Sequence, residues 1–439
     1  MAGSLSSRDL SAIASKLRNA NTTFARQYPG DAIGRQPVHT LIGAGDAFTS
    51  GAAQRAGARA IAAIEQYGST ATSFAEAIGL PSSDPAFAET IHVRVREKLG
   101  REPVEDFRID FEDGYGTRPD REEDGHAAAA ARAVAAGLKA STLPPFIGIR
   151  IKPMSRELHA RGLRTLDIFV STLATSAKRL PDHFAVTLCK VTAPAHVSTV
   201  DRVCSVLERK LKLKANSIRL ELMIETPQSI LAPDGSSALR ALVAAGNGRV
   251  RSAHLGVYDY TALCGITAAH QHLRHQSCDF ARHMMQVALA QTGVTLSDGS
   301  SNVLPIPPQV QEAWKIHFTD VSHSLVNGYY QGWDLHPAQL PTRYAAVYAF
   351  YLSALPAATL RLKRFFDKAT KAGAAFDDAA TGQALVNFFT RALSSGAITI
   401  EEAMATGLEE SELQGQSFLQ ILSGRSARRR TPSNRRAKQ

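Results

Sequence analysis

The chain has 439 residues, 44% of them hydrophobic and 21% charged. That is too long for a minimal domain and fits one large barrel with additions, or two domains. The formal net charge of +10 resembles a nucleic-acid signal until it is located: Arg425, Arg428, Arg429, Arg430, Arg435, Arg436 and Lys438 lie in the last fifteen residues, and the remainder carries only +3.

Four cysteines, Cys189, Cys204, Cys264 and Cys278, form no CxxC pair or finger spacing and read as reduced, mostly core residues. No run of about 18 apolar residues is present, so no membrane span is expected. The N-terminus MAGSLSSRDLSAIASKL is Ser-rich but lacks the apolar stretch of a secretory signal. Asp9 and the helical spacing of Leu10, Ile13 and Leu17 favour an ordinary amphipathic helix over a transit peptide, and the cytoplasm is the expected compartment.

Residues 1–36 read as that helix followed by a loop. PVHTLIGAGD (37–46) is a buried strand ending in glycines, and 51–100 carries Ala-rich helical patterns. DFRIDFED (106–113), FIGIRIK (146–152), FAVTLCKV (184–191), SIRLELMIET (217–226) and VRSAHLGVYDY (250–260) read as strands two to six, with helix-length segments between them. NVLPI (302–306) and YQGWDLH (330–336) are the expected last two. This alternation predicts an α/β fold, a (β/α)₈ TIM barrel over 37–340 with parallel strands and right-handed crossovers. No GxGxxG follows the first strand, which weakens the open dinucleotide-binding alternative. Residues 341–423 read as a helical appendage that caps the barrel or mediates assembly, and 424–439 as a disordered basic tail.

A barrel of this kind carries its active site at the C-terminal ends of its strands. The polar residues there are Asp110, Glu112 and Asp113 on strand two, Arg150 and Lys152 on three, Lys190 on four, Glu225 on five, Asp259 on six and His336 on eight. Lone buried charges are costly, so these groups must pair or hold a metal. Glu225 and Asp259, each ending a long apolar strand, suit Mg²⁺, which keeps several waters; the spacing is equally compatible with two carboxylates capping the next helices. Arg150 presents a fork suited to a carboxylate, or to an internal pair with Asp110 or Asp113. Lys190 reads as a Schiff-base lysine or, in a metal-rich mouth, a charge balancer. His336, before a proline, reads as a general base or as a loop anchor, and His39 as a core residue. His270, His272, His275 and His283, with Cys278, superficially suggest zinc but form no HExxH.

In chain order, DFRIDFEDGYG (106–116), FIGIRIKP (146–153), TLCKV (187–191), LMIETPQSI (222–230), LGVYDYT (255–261) and WDLHPAQL (333–340) resemble the strand-end motifs of the citrate lyase β-subunit-like and HpcH/HpaI aldolase superfamily. HLGVYDYTALCGI, LSDGSSNVLP and YYQGWDLHPAQLPTRYAA are similar to an uncharacterised aldolase-like subgroup whose members carry lyase or phosphoenolpyruvate-kinase labels. The resemblance implies Mg²⁺, with Mn²⁺ as a substitute, on Glu225 and Asp259, and Arg150 on the carboxylate of a pyruvate- or oxaloacetate-like group. The chain departs from the pattern at LIGAGDAF (41–48) and Lys152, which puts an acyl-CoA site in doubt, and no histidine follows Asp113 before His126.

The expected chemistry is carbon–carbon cleavage of a 2-oxo acid, hydroxy acid or acyl-CoA through a pyruvate-like enolate, or its reverse. Arg150 and His336 are the expected substrate contacts, and Asp113, Glu112 and Lys190 the candidates for proton transfer and charge balance. The alternatives are a phosphotransferase acting on phosphoenolpyruvate, for which no GxxxxGK[ST] loop is found, and a non-catalytic carboxylate- or metal-binding barrel. A homo-oligomer is expected, and the basic tail is either solvated or in weak contact with RNA or an anionic surface.

Overall fold

The computed structural model describes residues 4–32, 34–81, 84–372, 379–413 and 416–430. Eight parallel strands run β1 (His39–Ala44), β2 (Asp106–Asp110), β3 (Phe146–Ile151), β4 (Phe184–Leu188), β5 (Arg219–Ile224), β6 (Val250–Leu255), β7 (Thr295–Ser297) and β8 (Gly332–Asp334). From β1 to β7 each pairs with the next, and β8 pairs with β1. The remaining seam, between β7 and β8, is bridged by Asp298 N–H donating to Gln331 O (2.8 Å) and Trp333 N–H donating to Gly299 O (3.2 Å). The expected (β/α)₈ barrel is therefore nearly closed.

Strand alternation separates two environments. Phe107, Ile109, Ile147, Ile149, Ile151, Val186, Leu188, Leu220, Leu222 and Ile224 face the surrounding helices and join the main apolar core. The alternate residues face inward, and they are polar: Asp106, Arg108, Thr187, Glu221, Ser252 and His254 are all buried. Arg108 Nη2 lies 2.7 Å from Asp106 Oδ2 and 2.8 Å from Glu221 Oε2. Thr187 Oγ1 donates to Glu221 Oε2 (2.9 Å), and Arg251 Nε donates to Glu221 Oε1 (3.2 Å). Above this charged layer lies a small separate apolar cluster of Cys189, Met223, Trp333 and Ile42, and above that the mouth.

Two sequence expectations shift. NVLPI (302–306) is not the seventh strand; the three residues Thr295–Ser297 are. Pro305, Pro307 and Pro308 sit within or beside NVLPI, and proline has no N–H for a ladder. The sixth strand stops at Leu255, and Val257–Leu263 is a helix. Gly256 makes that break tight, because a Cβ there would collide with Glu225 Cβ and Oε2.

The C-terminal region is helical as expected, beginning with Leu340–Ala372. The segment Pro337–Lys368 has the length and composition of a membrane span, although no span is expected from the sequence. Its Tyr344, Ala345, Val347, Tyr348 and Tyr351 are buried within the main core, as in a core helix of a globular fold. The last helix, Phe418–Arg430, continues past Gly424, where the tail is expected to begin; 431–439 lie outside the described residues.

Candidate active site

The loop after β2 is built around Asp110. Its Oδ1 accepts from Glu112 N–H (2.9 Å) and its Oδ2 from Gly114 N–H (2.7 Å). A Cβ at residue 114 would lie 2.7 Å from Asp110 Oδ2, so only glycine lets the backbone come this close. The same two oxygens accept from Arg150 Nε and Nη2, both at 2.7 Å. The bidentate grip expected on a substrate is thus made to Asp110, and Arg150 Nη1 is the guanidinium nitrogen with no partner among the described residues. Lys152 secures the loop from below, donating to Phe111 O (2.8 Å) and to Glu123 Oε2 (2.7 Å).

Lys190 follows β4 in the left-handed region, φ 49°, which costs a non-glycine residue about 1–2 kcal/mol. That conformation delivers its N–H to Glu225 Oε1 and its ammonium to Glu112 and Asp113. Burial works against the ammonium, but Glu112 and Asp113 outweigh it and raise its pKa above the ordinary lysine range. Burial also raises the Glu112 carboxyl, against the pull of Arg150 and Lys190. On Asp113 burial is outweighed by hydrogen bonds from Glu112 and Lys190, and its pKa is lowered. Lys190 is therefore ion-paired, and acting as a Schiff-base amine would require it to give up two carboxylates.

Glu225, 3% exposed at the end of β5, is pushed up to about 7, first by burial and then by the charge of Asp259. Asp259, in the first turn of the helix Val257–Leu263, is also raised, by burial against the opposing pull of Lys190. Lys190 Nζ stands 3.9 Å from Asp259 Oδ2. Glu225 does not cap the next helix: Thr226 does, its hydroxyl accepting from Ser229 N–H (3.2 Å). Two carboxylates whose pKa values burial raises, facing one pocket, form a donor set suited to a hard cation. Among the described residues no group of three or more His, Cys, Asp or Glu could hold a metal. Such a cation would keep open positions for water and ligand.

A cavity of roughly 500 Å³ opens between these groups. Its lining combines the charged Asp110, Asp113, Arg150, Glu225 and Asp259 with the apolar Ile42, Met223, Leu255 and Trp333. Glu112 and Lys190 are not among its lining residues. His336 does not line it either: its Nδ1 accepts from Ala338 N–H (3.2 Å), capping the turn Pro337–Gln339, and its Nε2 lies 3.2 Å from Arg59 Nη2. It is a loop anchor. Sequence reading missed the apolar wall, although the alternation of Gly332–Asp334 turns Trp333 inward and Leu220–Met223 carries the same signal for Met223. The histidine group offers no zinc site among the described residues; His275 Nδ1 accepts from Ser277 N–H (3.1 Å) as a helix cap.

The model of the family described as Domain of unknown function (DUF6986) matches residues 17–421. The chain belongs to DUF6986. No curated protein matches its sequence. Among solved structures, a citrate lyase from Burkholderia xenovorans LB400 is similar with a TM-score of 0.53 at 17% identity, covering 86% of this chain and 98% of that one. A malate synthase from Haloferax volcanii, a lead(II) complex, aligns with a TM-score of 0.47 at 14% identity over 84% and 98%. At these identities the first likeness establishes the barrel fold of the DUF6986 chain.

The raised Glu225 pKa has a stability consequence. The unfolded chain ionises Glu225 near 4.5 and the metal-free native state near 7, so the native state holds the proton more tightly in between. This contribution is fully present below about pH 4.5 and is lost as pH rises through about 7. Metal-free Glu225→Gln should therefore match the wild type near pH 4.5 and exceed its stability at pH 8 by up to about 3 kcal/mol. Urea unfolding in EDTA at the two pH values measures this, and an equal difference at both would contradict the assigned burial of the charge.

Proposed function

We propose that this protein is a Mg²⁺-dependent carbon–carbon lyase or aldolase of the citrate lyase β-subunit-like and HpcH/HpaI type, acting on a 2-oxo acid or a closely related carboxylate through a pyruvate-like enolate. The observation that carries this reading is the convergence of Glu225, Asp259 and Arg150 on one cavity at the C-terminal ends of the strands. The resemblance of the strand-end motifs supports it.

Glu225 and Asp259 are the residues that would hold Mg²⁺, with Mn²⁺ as a substitute. The ion supplies Lewis-acid stabilisation of negative charge developing on a substrate oxygen. Arg150 fixes the substrate carboxylate with Nη1, the guanidinium nitrogen it does not commit to Asp110. Asp110 holds the guanidinium in place, so the clamp is set before the ligand arrives. Asp113 is the proton acceptor on the cavity wall; Lys190 keeps it ionised, which lowers its basicity but guarantees an empty acceptor.

The test is a screen of hydroxylated 2-oxo acids, hydroxy acids and acyl-CoA thioesters for Mg²⁺-dependent release of pyruvate or its relatives, with oxalate stabilisation as a binding readout. Absence of both sinks the reading. Arg150→Lys supplies a second check. It should lower kcat/KM on any accepted substrate by at least about 100-fold, since a point charge cannot serve Asp110 and a carboxylate together. Loss of one hydrogen bond to buried Asp110 should lower stability by about 1–3 kcal/mol. A melting-temperature shift with near-normal kcat/KM would remove Arg150 from the site.

A further inference from the structure

We propose that Trp333 is a positioning residue of this cavity: its indole sets the Arg150 guanidinium and forms the apolar surface on which a small 2-oxo acid lies. The inference rests on the enolate-site reading above.

Trp333 is 3% exposed and sits on β8, in the apolar layer formed with Cys189, Met223 and Ile42 that is separate from the main core. The indole is held at its nitrogen: Nε1–H donates to His254 Nδ1 (2.9 Å). His254 therefore has a bare Nδ1. In its neutral form it carries its proton on Nε2, which donates to Ser252 Oγ (2.8 Å). This fixes the tautomer through its partners. The imidazole also stands edge-on to the indole, ring centres 5.6 Å apart at 82°, so both the hydrogen bond and the ring contact define the plane of Trp333.

The Arg150 guanidinium carbon lies 5.9 Å from the indole centre, within range of the negative ring face. Asp110 occupies the Nε and Nη2 edge of the same guanidinium. Arg150 is thus held on two sides, by a carboxylate that fixes its edge and by an aromatic face that limits rotation about that edge. Without the indole, where Nη1 points would be left to Asp110 and to the longer contact of Nη2 with Glu112 Oε2 (3.5 Å). Trp333 itself lines the cavity with Ile42, Met223 and Leu255. A ligand with a carboxylate toward Arg150 therefore meets a flat apolar surface beside it, as a planar 2-oxo acid or enolate requires.

The chain has two tryptophans. Trp314 is distant in role: it donates to Ala338 O (2.7 Å), packs edge-on against Tyr67 and Phe74, and does not line the cavity. A change of tryptophan emission on filling the site therefore reports Trp333. The experiment titrates oxalate into the full-length protein saturated with Mg²⁺, followed by calorimetry and by tryptophan emission.

The wild type should show a saturable emission change whose midpoint matches the calorimetric Kd. Trp333→Phe should lose that change and bind oxalate about tenfold more weakly, the scale of a desolvated cation–ring contact. Its Mg²⁺ affinity should stay within about twofold, because neither Glu225 nor Asp259 is a partner of the indole and separate sites act independently. Parallel loss of Mg²⁺ and oxalate affinity, or oxalate binding as tight as in the wild type, overturns the proposal. If Trp333→Phe does not fold, the wild-type emission decides: no change at saturating oxalate overturns it. A wild type that binds Mg²⁺ but no oxalate overturns this proposal and the enolate-site reading together, whereas normal oxalate binding unmoved by Trp333→Phe overturns this one alone.

Discussion

Replacing Glu225 by Gln should abolish divalent-cation binding while leaving the fold intact. The amide keeps the shape of the side chain, and its oxygen still accepts from Lys190 N–H, the one hydrogen bond made by Glu225 Oε1. What disappears is the charge. With two carboxylates assigned to the ion, removing the buried one should weaken Mg²⁺ binding by at least about 100-fold, above the range for residues that merely support a metal ligand. Asp259→Asn should act in the same direction but less strongly, because Asp259 is 40% exposed and Lys190 already offsets part of its charge. Calorimetric Mg²⁺ titration of both variants with and without oxalate measures the effect, and unchanged affinity in both would sink the metal assignment. Glu225→Gln should lose the cation while gaining metal-free stability at pH 8. Simple damage to the fold would lower both together.

Gly148→Ala should cost about 3–5 kcal/mol, the scale of disrupting a buried ion pair, or prevent folding. Residue 148 on β3 faces inward, and the space a Cβ would take is filled by Arg108 Nη1 and by the Ala185 carbonyl on β4. Arg108 is fully buried and bound to Asp106 and Glu221, so its guanidinium cannot withdraw without stranding two carboxylates. The Ala185 carbonyl belongs to the adjacent strand and cannot move without opening the barrel. Gly100→Ala is the control: it lies near the end of the helix Pro85–Arg101 with nothing near its absent Cβ, and should be neutral or stabilising by about 0.5–1 kcal/mol. Urea unfolding of the pair gives the difference. Equal stability would mean that Arg108 does not pack against residue 148.

Where apolar periodicity was long and clean, the barrel was legible. Strands β2 to β5 begin within two residues of their expected starts, because Phe107/Ile109, Ile147/Ile149, Val186/Leu188 and Leu220/Leu222 alternate with inward residues. The seventh strand was not legible: three residues between Val294 and Asp298 carry no apolar run. Residues 257–260 carry Val257 and Tyr260 in the core, which reads as more strand, but helix and strand are indistinguishable over four residues. The charged groups of the mouth were visible because each ends or closely follows an apolar strand. Their pairing was not, since whether Arg150 meets Asp110 or a ligand depends on distances across the barrel. The alternation that turns Trp333 and Met223 inward was visible, but an inward apolar residue is the ordinary filling of a barrel interior and so did not mark them as cavity lining.

β8 is three residues long, and what holds it is the chain that follows. Arg343 Nη2 contacts Asp334 Oδ1 at 2.8 Å, His317 joins Asp334 to Thr342, and Tyr344 Oη donates to Pro103 O at 3.1 Å. Asp334, Arg343, Thr342 and Tyr344 are all buried. A ribosome delivers the chain from its N-terminus, so the strand that closes the sheet emerges before the helix that fastens it. During synthesis the seam beside β1 stays open, and Trp333 remains unplaced, until Leu340 and the turns after it leave the exit tunnel. The cavity can therefore take its final form only late in translation, and a nascent chain halted near residue 336 would expose the β1 edge to any chaperone or neighbouring chain able to pair with it.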